Sequence, residues 1–170
     1  MRSTLPTIVL TLFAAPAVAG DYDVFFGDRP GGRVCYNRSY DSDHLRAHDR
    51  QKVRQIVLDF DAAKADGDAN RATRFAIRIG VKLRAGKAWL TRAGLCNERA
   101  VGGFECFLEG DAGRFKLAPS DFSLRMTLDR EMTLEGDGFI TFGGKESDDN
   151  TFVLSPAVNR LCDPASGAGR

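Results

Sequence analysis

The sequence alternates strictly between apolar and polar side chains over eleven residues near the middle of the chain, from Arg74 to Arg84. The apolar positions are Phe75, Ile77, Ile79, Val81 and Leu83. A period of two over this length is typical of a β-strand with one buried face and one exposed face. The pattern therefore predicts a long strand and excludes an amphipathic helix in this segment.

Shorter copies of the alternation recur at 56–60, 104–108, 115–117 and 122–128, separated by turns rich in glycine and aspartate. Short strands at short, even spacing predict an all-β fold, an antiparallel meander that closes into a barrel or a sandwich. A helix is predicted only over residues 42–52, as a short connector with Ser42 or Asp43 as its N-cap. We expect a single domain over 20–162, followed by a flexible tail over 163–170, which is small and polar.

Residues 1–19 have the pattern of a signal peptide: Arg2, an apolar run from Ile8 to Val18, and a small-x-small ending at Ala19. This pattern predicts a periplasmic or secreted protein. No later segment approaches the roughly 20 apolar residues of a membrane-spanning helix, so no membrane span is expected. The net charge of +1 gives no field that would favour nucleic acid as a partner.

The chain contains four cysteines, Cys35, Cys96, Cys106 and Cys162. An even number in an exported chain favours disulfides, and four cysteines allow three pairings. We favour Cys96 with Cys106, because they flank a segment containing Gly102 and a hairpin centred near Val101 would set them opposite each other. We favour Cys35 with Cys162, because a closed sheet brings its first and last strands together. The absence of a Cys-x-x-Cys pattern argues against a redox or zinc site.

His44 and His48 are the two histidines of the chain. On a helix this spacing places both imidazoles on one face, where they form half of a site for a divalent metal. The alternative is a pair of surface histidines in a polar connector. The sequence contains no other cofactor motif, and no cofactor is expected.

Four cations, Arg74, Arg78, Lys82 and Arg84, occupy the polar side of the predicted long strand. Alternate residues lie roughly 7 Å apart, so these side chains would form a basic ribbon about 30 Å long. An anionic envelope polymer or an acidic protein would bind such a ribbon, whereas the alternative is a face that keeps the strand hydrated. Trp89 follows on the next strand, as a stacking platform or as a core residue.

Several segments resemble a family of small exported bacterial all-β proteins with disulfides. These segments are Arg33-Val34-Cys35-Tyr36, the Cys96 and Cys106 pair, the hairpin between 104 and 115, and 148–154 before Cys162. The resemblance implies a fold, and no catalytic residue carries over from it. The architecture is also similar to small periplasmic β-barrel inhibitors of lysozyme, whose binding-loop motif is not found in this chain.

These features favour a non-enzymatic binding module that acts on a partner in the cell envelope. One alternative is a small hydrolase that uses carboxylates or a histidine-bound metal, which requires His44 and His48 to converge in a cleft. Against it, the chain contains no Gly-x-Ser-x-Gly elbow. Another alternative is a structural envelope protein, which predicts a barrel interior filled by side chains.

Overall fold

Antiparallel strands form most of the structure, a computed structural model that describes residues 21–27, 32–61, 74–136 and 138–166. The predicted signal peptide lies outside these residues. The strands are β1 (Arg33–Ser39), β2 (Val53–Asp61), β3 (Arg74–Leu83), β4 (Trp89–Glu98), β5 (Phe104–Leu108), β6 (Arg114–Ser120), β7 (Ser123–Leu128), β8 (Met132–Glu135), β9 (Phe139–Phe142) and β10 (Thr151–Ala157). The helices are α1 (Asp21–Phe26), α2 (Ser42–Ala47) and α3 (Asp163–Ser166), with 3-10 turns at Glu109–Asp111 and Asn159–Cys162.

Eight of these strands close into a barrel. Strands β1 to β6 each pair with the next along the chain, and β10 lies between β7 and β1. The hairpin of β8 and β9 is left outside this ring and joins it through one pair, Thr91 opposite Glu135. The predicted all-β meander is confirmed, and its closure is a barrel.

The barrel interior receives the apolar side chains that the alternation assigned to it. On β3, Phe75, Ile77, Ile79 and Val81 are buried, whereas Arg74 and Arg78 are exposed. The interior is filled along its length by one cluster of buried side chains from all ten strands and α1.

Helix α1 fills one end of the barrel, where β2 ends and β3 begins. The ring centroid of Phe26 lies 4.8 Å from that of Phe75, 5.2 Å from that of Phe60 and 5.7 Å from that of Phe104. Tyr22 packs edge-on against Phe60 and Phe75 as well. We call this the plugged end of the barrel.

The hairpin of β8 and β9 covers the opposite end of the barrel. Its inner face contributes Met132, Leu134 and Phe142, all buried in the same cluster as the barrel interior. The Thr133 N–H donates to the Ala112 carbonyl and fixes the hairpin to the turn before β6. We call this the hairpin end.

The C-terminal segment packs on the outer face of the barrel. A disulfide joins Cys35 on β1 to Cys162, and a second joins Cys96 to Cys106 across β4 and β5. This is the pairing that the hairpin and the closure of the sheet predicted. Around the first disulfide, Val57 and Ala165 complete a small second cluster of buried side chains.

The segment 163–166 departs from the predicted flexible tail, because it forms α3 and is held by two contacts. Ala165 is buried against Gly80, where an added Cβ would lie 2.9 Å from the Ala165 Cβ. Asp163 accepts a 2.7 Å hydrogen bond from Arg33, which also pairs with the buried Asp59. These two carboxylates raise the pKa of the Arg33 guanidinium, and the larger effect comes from Asp59. Residues 167–170 lie outside the described residues.

The predicted connector over 42–52 contains a short helix, which occupies only the first part of this segment. Helix α2 ends at Ala47, and the remaining residues follow as an irregular segment to β2. Its N-cap is Asp41, whose side chain accepts a 2.8 Å hydrogen bond from the His44 N–H. The predicted caps, Ser42 and Asp43, lie instead in its first turn.

The two disulfides should differ in their effect on stability. The chain-entropy model gives a loss of about 5 kcal/mol for Cys35→Ser with Cys162→Ser, because of its long loop, and about 3 kcal/mol for Cys96→Ser with Cys106→Ser. We expect only the first double variant to shift the emission of Trp89, which packs against the Cys35–Cys162 cluster, to longer wavelength. Denaturant unfolding and fluorescence measure both effects. An unchanged Trp89 spectrum without the Cys35–Cys162 bond would contradict the packing of the C-terminal segment.

Candidate functional site

The predicted basic ribbon on β3 is interrupted in the structure. Arg74 and Arg78 are exposed on the outer face. Gly80, the next outward position, is covered by Ala165. Arg84 folds back and donates to the carbonyls of three connector residues, His48, Asp49 and Gln51, at 3.2–3.3 Å. Arg84 therefore fixes the connector, and the ribbon divides into an exposed pair and Lys82.

Trp89 lies on the outer face of the barrel beside Lys82. The Lys82 ammonium is 5.9 Å from the centroid of the indole ring, a cation–π geometry. Trp89 also packs against the Cys35–Cys162 cluster. Trp89 is therefore half-buried between the C-terminal segment and the turn that joins β3 to β4, outside the barrel interior.

The two predicted metal ligands form part of a stack of rings on the connector. The centroid of His44 lies 4.5 Å from that of Tyr40 and 4.4 Å from that of His48, with interplanar angles of 24° and 27°. The Arg38 guanidinium lies over the ring of Tyr40, 5.0 Å from its centroid. Burial of this phenol raises its pKa, and Arg38 lowers it by less.

The stack does not have the geometry of a metal centre. Gln51 donates to the Val53 carbonyl, so its side-chain oxygen accepts from His44 Nε2, 3.0 Å away. The two imidazole planes are too nearly parallel for their lone pairs to meet within a metal–nitrogen distance of about 2.1 Å. In the part of the chain that the structure describes, no three His, Cys, Asp or Glu residues are grouped to hold a metal ion.

A cavity of about 490 Å³ opens at the hairpin end. One wall is the turn between β3 and β4, and the other is the tip of the β8–β9 hairpin. Its lining is mainly apolar and consists of Leu83, Gly86, Lys87, Ala88, Leu90, Gly138, Phe139 and Ile140. Phe139, on the rim, is 72% exposed. We call this cavity the hairpin groove.

One wall of the hairpin groove comes from a strand at the edge of the sheet. Strand β9 pairs with β8 and with no other described strand. On its free side, the Lys52 ammonium donates a 3.1 Å hydrogen bond to the Thr141 carbonyl. A backbone carbonyl of β9 is therefore directed away from β8, toward the start of β2.

Four cations lie around the hairpin groove. Lys87 lines it, Lys52 lies beside β9, and Lys82 and Arg84 flank the turn that forms its other wall. None of these four cations forms an ion pair with a carboxylate of the described residues. The nearby Glu135 carboxylate is neutralised by Arg92, at 3.0 Å.

Asp149 holds the base of this region together. Its buried carboxylate accepts hydrogen bonds from the backbone N–H groups of Lys52, at 2.6 Å, and Val53, at 3.2 Å. It thereby fixes the loop after β9 to the start of β2 and positions Lys52 beside β9. Burial raises the pKa of Asp149 above its ordinary value of 3.8, and the two N–H groups offset part of that rise.

Sequence reasoning did not find the hairpin groove, because its walls lie about fifty residues apart along the chain. Of the predicted site residues, only Lys82, Arg84 and Trp89 lie near the groove, at the turn between β3 and β4. Arg74 and Arg78 lie toward the plugged end of β3, and His44 and His48 belong to the connector. Phe139 and Lys52 had no distinguishing signal in the sequence.

Comparisons with family models, with curated proteins and with solved structures found no match to this chain. Among the helices that the structure describes, none is long and apolar enough to cross a membrane.

The raised pKa of Asp149 should appear in the pH dependence of stability. Because its folded-state pKa lies above the unfolded value, the contribution of this group is fully present below pH 3.8 and is lost as pH rises through the folded pKa. Asp149→Asn does not titrate at this position. We therefore expect the free energy of unfolding of the wild type, relative to Asp149→Asn, to fall as pH rises through this range. Urea unfolding across pH measures the difference, and a difference that stays constant or grows would contradict it.

Proposed function

We propose that this protein is an exported, non-enzymatic binding module that captures a segment of an acidic envelope protein in the hairpin groove. The observation that carries this proposal is the combination of an apolar groove with Lys87 in its lining and Lys52 beside β9. Apolar walls favour aliphatic or aromatic side chains, and the cations favour carboxylates between them. A polypeptide supplies both the apolar side chains and the carboxylates.

The packing of the rest of the molecule supports a binding role over a catalytic one. The two histidines are stacked on a connector, and although His48 Nδ1 lies 3.9 Å from Asp148, His48 is exposed on the surface. The barrel interior is filled by side chains and by α1, as the structural envelope protein alternative predicts, but a cavity remains open at the hairpin end. The hairpin groove is therefore the better candidate for contact with a partner.

An acidic protein fits the hairpin groove better than an anionic envelope polymer. A polymer of sugars and phosphates would use the cations but would leave the apolar walls and the exposed Phe139 unoccupied. The interrupted ribbon on β3 also lacks the continuous row of charges that such a polymer would follow.

Export is proposed from the sequence of 1–19 and is supported by the two disulfides. Such bonds persist in oxidising compartments such as the periplasm or the extracellular space. The partner is accordingly expected in the cell envelope.

The apolar part of the hairpin groove is tested with a labelled peptide of alternating glutamate and valine, about eight residues long so that it exceeds the length of β9. Fluorescence anisotropy measures its binding to the oxidised protein. We expect Phe139→Ser to raise Kd about tenfold, equivalent to about 1.4 kcal/mol. The matched control is Phe122→Ser. Phe122 is also an exposed phenylalanine, but it lies in the turn between β6 and β7, at the plugged end. Equal effects of the two substitutions would contradict the assignment of the site.

The charge of the groove is tested with the same peptide and a second matched pair. Lys87→Glu should weaken binding about tenfold, whereas Arg78→Glu, the same charge change on the outer face of β3, should leave it within about twofold. Affinity should also fall with added salt, because the screening length shortens to about 3 Å at 1 M. No binding of the peptide by the wild type, or a loss with Arg78→Glu alone, would overturn the proposed function.

A further inference from the structure

The hairpin groove contains a strand with an unpaired edge. Each of the other described strands has a paired strand on both of its sides. Closure of the barrel removes edges from β1 to β7 and β10. Strand β9 ends the order of the sheet and has β8 on one side only. Two residues of this strand, Phe139 and Ile140, line the groove.

The hydrogen bond from Lys52 identifies which backbone groups of β9 face outward. The Thr141 carbonyl accepts from Lys52 and therefore points away from β8. In an antiparallel pair, residues alternate between bonding the partner strand and facing the other side. Phe139, two residues away, consequently presents its N–H and carbonyl to the same free side as Thr141, whereas Ile140 faces β8.

We propose that the acidic segment binds by adding a strand to the free edge of β9, within the hairpin groove. This inference rests on the proposed function and specifies how the groove holds its partner. Backbone hydrogen bonds with Phe139 and Thr141 would align the segment, and alternate side chains would enter the apolar groove beside Leu83 and Leu90. The remaining side chains would face the surrounding cations.

Lys52 gives the proposed strand a specific electrostatic partner. In the free protein the Lys52 ammonium donates a hydrogen bond to the Thr141 carbonyl. An incoming strand needs this carbonyl as the acceptor for one of its backbone N–H groups. An added strand takes over that carbonyl and releases the ammonium to a carboxylate of the segment. The exchange replaces one hydrogen bond and adds an ion pair, which an acidic segment supplies and a basic one does not.

Two N-methylated forms of the Glu-Val peptide test strand addition without altering the protein. One form carries methyl groups on the amides of every glutamate and the other on those of every valine. An added strand directs only one of these sets toward β9, so we expect one form to lose at least about tenfold in affinity and the other to stay within about threefold of the parent. Equal affinities for the two forms, or equal losses, would overturn strand addition.

Amide hydrogen exchange of the oxidised protein gives an independent readout with the unmethylated peptide. Saturation with the peptide should slow exchange of the Phe139 and Thr141 amides at least about tenfold, leaving that of Ile140 within about twofold. Unchanged exchange at Phe139 and Thr141 would overturn strand addition. If the parent peptide binds and responds to Phe139→Ser but not to the position of the methyl groups, the proposed function stands and strand addition fails. If the parent peptide does not bind, both fail.

Discussion

The insertion of β10 between β7 and β1 is the constraint on which the rest of the structure depends. It completes a ring of eight strands and brings Cys35 and Cys162 together, and the C-terminal segment then packs outside the barrel. It also leaves no place in the ring for β8 and β9, which precede β10 in the chain. These strands fold over the hairpin end as a separate hairpin, and β9 keeps a free edge because the ring is already closed.

The sequence predicted the parts of the fold that depend on local periodicity. The alternation from Arg74 to Arg84 identified β3, and a hairpin centred near Val101 placed Cys96 opposite Cys106. Helix α1 was missed, because six residues are too few to show a helical period and its Tyr22 and Phe26 acquire their role only against distant strands. The segment 163–166 looked like a tail because the contacts that hold it are also distant.

The candidate site was predictable only in part, because two distant turns build it. Lys82 and Arg84 were identified by charge, but sequence could not show that Arg84 would bond three carbonyls of the connector. Nor could it show that Gly80 would be covered. The histidine spacing did predict proximity, yet it could not distinguish stacked rings from converging lone pairs. The groove depends on a contact between β4 and β8 that leaves no pattern in the chain.

The most direct test of the account is where the acidic peptide contacts the protein. Intermolecular nuclear Overhauser effects can be measured between the unlabelled Glu-Val peptide and protein carrying labelled Ile, Leu and Val methyl groups. We expect contacts to Leu83, Leu90 and Ile140, which line the hairpin groove. Contacts confined to Val24 and Val101, which are exposed at the plugged end, would contradict it.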